Sequence, residues 1–189
     1  MDEVVLGVEF FAHLERVDRE IASKVGAGGC PHCGGRLHRG DYPRKPRGGF
    51  VGKAGECFTR RLSFCCSEEG CRKRATPPSV RFLGRRVYLG AVVIVASIVS
   101  QAHKAMAEVA RRTRRRWESF WRESFPRTSI FVSLLGRLSG AVSTSEMPRS
   151  LLERFEGDGQ TRLRRMLIAI SGLSTTSITD WTRCLRDIV

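Results

Sequence analysis

The sequence predicts an α+β fold, a small metal-stapled β-module followed by a basic helical region. Three observations carry that expectation. Two short thiol groups, Cys30-Pro-His-Cys33 and Cys65-Cys66-Ser-Glu-Glu-Gly-Cys71, sit on glycine-containing turns well separated along the chain. Apolar residues recur at helical spacing in several stretches outside that region. Lys plus Arg is 33 against 19 for Asp plus Glu, a formal charge of +14, and five arginines crowd into residues 111–116.

A chain of 189 residues builds one large domain or two small ones. A hydrophobic content of 41% argues against disorder along its whole length. The pI near 10.5 points to a polyanionic partner, either nucleic acid or an anionic membrane face. Seven cysteines is an odd number, and the N-terminus Met1-Asp-Glu-Val-Val-Leu-Gly7 has no basic stretch before an apolar run. Both features speak against a secreted disulfide framework. The expectation is a reducing cytoplasmic compartment with thiols available to metal. The longest apolar run, residues 89–96 followed by Ile98-Val99, is too short to span a bilayer.

In chain order, residues 3–24 read as an amphipathic helix. Leu6, Phe10, Leu14, Val17 and Ile21 form one stripe, while Glu9, Glu15, Arg16, Asp18 and Arg19 mostly take the other side. Such a helix serves packing or dimerisation. Gly26-Ala-Gly-Gly29 ends it. The thiol groups come next. Four thiolates gathered from two turns make a tetrahedral Zn2+ site of the zinc-ribbon kind, which lets a module with little apolar mass fold. One C-x2-C alone also suits a redox protein; the second group favours metal. The predicted ligands are Cys30, Cys33, Cys66 and Cys71. Adjacent Cys65 and Cys66 point to opposite sides of a strand. Cys66 is preferred because it shares parity with Leu62 and Phe64 and makes the shorter turn to Cys71; Cys65 remains the alternative. Cys57, His32 and His38 are weaker candidates.

Between the thiol groups, the prolines and glycines of residues 41–49 favour an extended arm carrying Arg44, Lys45 and Arg47. Such an arm either tracks phosphates or is a solvated basic loop. Thr76-Pro77-Pro78-Ser79 reads as a rigid connector. Residues 84–100 are rich in valine and isoleucine, but their length and lack of alternation favour a buried helix over a strand. Ala102, Ala105, Met106, Val109 and Ala110 fit a short amphipathic helix. In the next stretch Trp117, Phe120, Trp121 and Phe125 form a packing stripe, which leaves Arg111, Arg115, Ser119 and Arg122 opposite. The arginine face is the candidate DNA surface, reaching base edges or phosphates from a major groove. A solvated charge run is less favoured, because only Glu118 and Glu123 lie nearby. The nucleic-acid candidates are therefore Arg44, Lys45, Arg47, Arg111, Arg112, Arg114, Arg115, Arg116 and Arg122. Pro126 marks a boundary. Beyond it, residues 130–138, 151–155 and 162–170 read as short helices that complete the core or mediate assembly, with a turn at Gly157-Asp-Gly159.

Cys30-Pro-His-Cys33-Gly34, Phe64-Cys65-Cys66, Cys71-Arg-Lys-Arg74 and Val109-Ala-Arg-Arg-Thr-Arg-Arg-Arg-Trp117 together make residues 28–125 similar to one known family region. They resemble the N-terminal DNA-binding part of bacterial insertion-sequence transposases and their accessory proteins. The resemblance implies a zinc ribbon (28–80) followed by a helix-turn-helix-like region (81–126), flanked by an N-terminal helix (1–27) and a C-terminal helical segment (127–189). It implies a double-stranded DNA partner at the nucleoid and a transposase or other mobile-element protein as a further candidate partner; a homodimer is a candidate arrangement through the N-terminal helix. Strand-transfer chemistry in that family uses a carboxylate triad on a larger domain, and this chain lacks the Asp/Glu pattern. A non-catalytic DNA-binding protein is expected, with an RNA-binding or assembly module as the alternative and a thiol redox enzyme behind both.

Overall fold

Val8–Ala27 forms α1, the longest helix among the described residues. The computed structural model describes residues 6–46, 56–84, 88–98 and 109–176. The stripe Phe10, Leu14, Val17 and Ile21 is buried, joined by Phe11, Ala22 and Val25. The helix runs past Gly26, where the sequence predicts its end. There it lies against the Phe64 ring, 3.2 Å from where a Cβ would stand, so glycine is used for close approach rather than for stopping. Gly28 caps the helix and Gly29, at φ +74°, turns the chain into the first thiol turn.

Asp18 corrects the sequence expectation for this helix. It is only 1% exposed, on the packed side. Its carboxylate accepts from Ser79 Oγ at 2.6 Å, Val80 N–H at 2.7 Å and Arg81 Nε at 2.7 Å. Arg81, equally buried, donates its other nitrogens to Phe58 O and Arg60 O. A buried ion pair is tolerated only when the remaining polar positions are also satisfied, and here they are. Arg61 is buried beside them and donates to the carbonyl oxygens of Pro77 and Ser174. Ser174 Oγ in turn accepts from Ser79 N–H. This network joins α1, the sheet region, the 76–82 connector and the C-terminal side of the described chain.

Two small antiparallel sheets follow α1. Strands β1 (Leu37–Arg39), β4 (Phe64–Cys66) and β5 (Arg74–Ala75) make one sheet, in the order β1-β4-β5. Strands β2 (Tyr42–Pro43) and β3 (Arg60–Arg61) make the other, with Tyr42 opposite Arg61. The predicted arm is therefore extended but partly paired. Arg44 N–H continues the pairing to Thr59 O at 2.9 Å.

Gly90–Ile98 forms α2, a helix as the sequence favours, with Ala91, Val92, Val93, Ile94 and Ala96 buried. Burial on nearly every face overrides the strand propensity of its valines. Arg111–Ser119 forms α3, prolonged by a π turn at Phe120–Ser124 and a 3-10 turn at Phe125–Arg127. Of the short helix expected over Ala102–Ala110, residues 102–108 lie outside the described residues, while Val109 and Ala110 are not helical and Ala110 instead stands at the N-cap of α3. Three further α-helices follow among the described residues: α4 (Ser129–Leu135), α5 (Arg149–Leu152) and α6 (Gly159–Ala169). Thr128 caps α4 by accepting from Phe131 N–H, and Asp158 caps α6 by accepting from Thr161 N–H. One apolar cluster contains Phe10 and Leu14 of α1, Ile94 of α2, Trp117, Trp121, Phe125, Leu134, Leu151, Leu163 and Met166. The described chain is thus α+β, with six α-helices and two small sheets. None of its helices is long and apolar enough to cross a membrane.

Candidate metal centre

The first thiol turn leaves α1 directly. Cys30 N–H donates to Gly35 O and Gly34 N–H to Cys30 O, each at 2.8 Å, and Gly34 takes φ +74° to close the turn. The second turn connects β4 to β5. Cys71 N–H and Arg72 N–H both donate to Glu68 O at 3.0 Å. Arg72, the residue after the cysteine, takes φ +46°, the place that Gly34 holds in the first turn. The turns therefore repeat a left-handed residue after the distal cysteine, although the second lacks a glycine there. They pack tightly: a Cβ on Gly35 would stand 2.4 Å from Glu68 Cγ.

This packing brings the sulfurs of Cys30, Cys33, Cys66 and Cys71 within 4.8 Å of one another. Cys33 Sγ lies 3.4 Å from Cys66 Sγ, and Cys30 Sγ lies 3.8 Å from Cys71 Sγ. These separations are too long for disulfides, whose S–S distance is about 2.05 Å. A tetrahedral ion with metal–sulfur distances of about 2.3 Å requires sulfurs about 3.8 Å apart. The four residues therefore form a site that can hold a metal ion. Cys66 rather than Cys65 joins the cluster. Within β4 it shares a side with Phe64, while Cys65 Sγ faces Gly40 on β1's flank. His32 and His38 are exposed and stand outside the cluster. Cys57 lies in the 3-10 turn Glu56–Thr59.

Backbone N–H groups reach the sulfurs. The His32 N–H, with Cys33 N–H adding to it, outweighs burial and brings the Cys30 thiol down to about 7. Burial pushes Cys66 up to about 12 despite the Glu68 N–H. The Gly35 N–H and Cys66 favour a Cys33 thiolate, yet desolvation and the neighbouring Cys71 and Cys30 outweigh them, so Cys33 is raised. Several like charges cannot be gathered at this spacing without a cation, and a divalent ion with soft-ligand affinity reverses the balance.

The candidate polyanion surface lies elsewhere. Arg111, Arg112, Arg115, Arg116 and Arg122 are exposed, and Arg114 is half-buried. Among the described residues no carboxylate forms an ion pair with those five exposed arginines. Trp117, Trp121 and Phe125 are buried on the opposite side, and Tyr88 meets Trp117 edge-on at 4.9 Å. The arginines open α3 with no acidic residue in its first turn and no side-chain cap on Ala110. Cations at that end oppose the helix dipole, by about 0.3–1 kcal/mol each at exposed positions. On the arm, Arg44 is half-buried. Its guanidinium turns inward, donating to Gly84 O at 3.3 Å and lying 5.3 Å from the Phe82 ring centre. Lys45 is exposed, and Arg47 lies outside the described residues.

Sequence reading missed the buried Asp18–Arg81–Arg61 network. Asp18 lies more than 60 positions from its partners Ser79, Val80 and Arg81, and such a separation leaves no periodic signal. The left-handed Arg72 was legible only by aligning the two turns on their distal cysteines. No protein-family model matches the chain, and neither a curated protein nor a solved structure matches it.

Proposed function

We propose that this chain is a non-catalytic, zinc-dependent protein that binds double-stranded DNA. In this reading the cysteine turns form a zinc ribbon whose four thiolates close the coordination sphere, making the metal structural. In the helix-turn-helix-like region (81–126), α3 is the recognition helix and lies against the duplex. The resemblance to insertion-sequence proteins makes it a transposase-related accessory or regulatory factor in the cytoplasm, at the nucleoid. The observation that carries the reading is the exposed arginine row of α3, which at five positions has no carboxylate partner among the described residues and is fixed from behind by Trp117, Trp121 and Phe125. Clamped aromatics hold the backbone still, so the guanidinium groups reach phosphates without the helix first having to order.

Salt titration of affinity for a random duplex tests it. Neutralising about five phosphates gives a log–log slope of roughly −4 to −5. A slope near zero removes the reading. Arg115→Ala and Arg122→Ala should each reduce the slope by about 1. A second reading, a protein-assembly module, is favoured by Val132 and Leu135 of α4, which are 64% and 43% exposed. Sedimentation of the full chain separates the two: assembly without a salt-dependent DNA complex favours the second.

A further inference from the structure

The four cysteines are not equivalent. Cys30 and Cys66 are buried, Cys71 is partly covered, and Cys33 is exposed. The short sulfur–sulfur approaches given above run between the turns, Cys33 to Cys66 and Cys30 to Cys71. We infer that Cys33 and Cys66 form an oxidisable pair that exchanges the metal staple for a covalent one, so that a peroxide ejects the metal while leaving the turns joined. The inference rests on the four-thiolate metal reading.

The chemistry balances with a peroxide as oxidant. The exposed Cys33 thiolate attacks one peroxide oxygen; the O–O bond breaks, a sulfenic acid forms, and hydroxide or alkoxide leaves. The Cys66 thiolate, in contact at 3.4 Å, then attacks the Cys33 sulfur. The S–S bond forms, the S–O bond breaks, and the oxygen leaves as hydroxide. Two thiolates lose two electrons and the peroxide gains them. Closing the pair needs the sulfurs to move together by about 1.4 Å. The metal is left with two protein ligands in place of four and dissociates. Burial of Cys30, against the exposure of Cys33, keeps peroxide from reaching it first. Cys65 faces away from the cluster and takes no part.

The test treats zinc-loaded full-length protein with hydrogen peroxide and follows three readouts: zinc release to a chromogenic chelator, disulfide mapping by mass spectrometry under non-reducing conditions, and far-ultraviolet circular dichroism. The expected result is one zinc released per disulfide, a Cys33–Cys66 linkage as the first product, an unchanged dichroism spectrum, and recovery on adding dithiothreitol with zinc. Cys65→Ser should give the same linkage at the same rate. A first product joining Cys30 to Cys33, or any linkage through Cys65, overturns the inference while the metal reading stands. Protein that purifies folded without zinc removes the metal reading. In that case, oxidation of the reduced metal-free chain to Cys33–Cys66 still supports the pairing, and any other first linkage defeats it.

Discussion

The cysteine region and the helical body hold themselves together by different means. In the helical body, Leu14, Trp121, Phe125, Leu151, Leu163 and Met166 are fully buried in one apolar cluster. Among the described residues between 28 and 75, the buried apolar side chains are Cys30, Phe58, Leu62, Cys66 and Ala75, and of these only Phe58 belongs to that cluster. Its strands are two or three residues long. Hydrophobic burial of that size does not offset the entropy of ordering such a segment. The difference teaches that one chain can combine a part folded by exclusion of water with a part that depends on ligation, joined at Gly26 against Phe64 and at Asp18 with Arg81.

Metal removal should break the comparison most widely. Chelation, or Cys33→Ser, should abolish hydrogen-exchange protection in the cysteine turns and in β1, β4 and β5, while α6 keeps its protection. Uniform loss across both regions, or none in either, would contradict the division. The pH dependence has a defined sign. Without metal the Cys66 thiol, pushed up to about 12 by burial, is protonated at neutral pH. A bound cation must expel that proton, so metal affinity falls on acidification and rises with pH. Competition with a metallochromic chelator between pH 6 and pH 8, a range set by the Cys30 thiol at about 7, measures it.

Asp18→Ala should come next, because it leaves the buried Arg81 guanidinium without its carboxylate. A loss of about 3–5 kcal/mol is expected in urea unfolding, with both regions loosened since the network spans them. Trp121→Ala confines the damage. It should cost about 3–5 kcal/mol through the cavity it leaves, and metal content measured below the unfolding transition should stay unchanged. Loss of metal from folded Trp121→Ala would mean that the two regions are not separable in this way. Arg72→Gly should have the smallest effect. Relief of left-handed strain of roughly 1 kcal/mol, less the added freedom of glycine in the unfolded chain, leaves a gain of about 0.5 kcal/mol. Thermal melting of the metal-loaded protein would read it, and destabilisation would show that the Arg72 side chain matters more than its backbone.

The sequence by itself determined the features that repeat over short distances. The period of Phe10, Leu14, Val17 and Ile21 placed α1, and the spacing of Trp117, Trp121 and Phe125 fixed which side of α3 is buried. Cys30-x2-Cys33 and the parity of Cys66 within β4 indicated the four sulfurs that come together. Each of these signals lives within a few residues, where backbone geometry alone relates the side chains. Only the tertiary structure decided that Asp18 turns inward, that Arg44 folds back on Phe82, and that Arg61 and Arg81 are buried. Those side chains carry charges that local patterning assigns to solvent. What holds them inside is a set of carbonyl and carboxylate acceptors delivered from distant parts of the chain, and no short-range rule encodes the meeting of Asp18 with Arg81 or of Arg61 with Ser174.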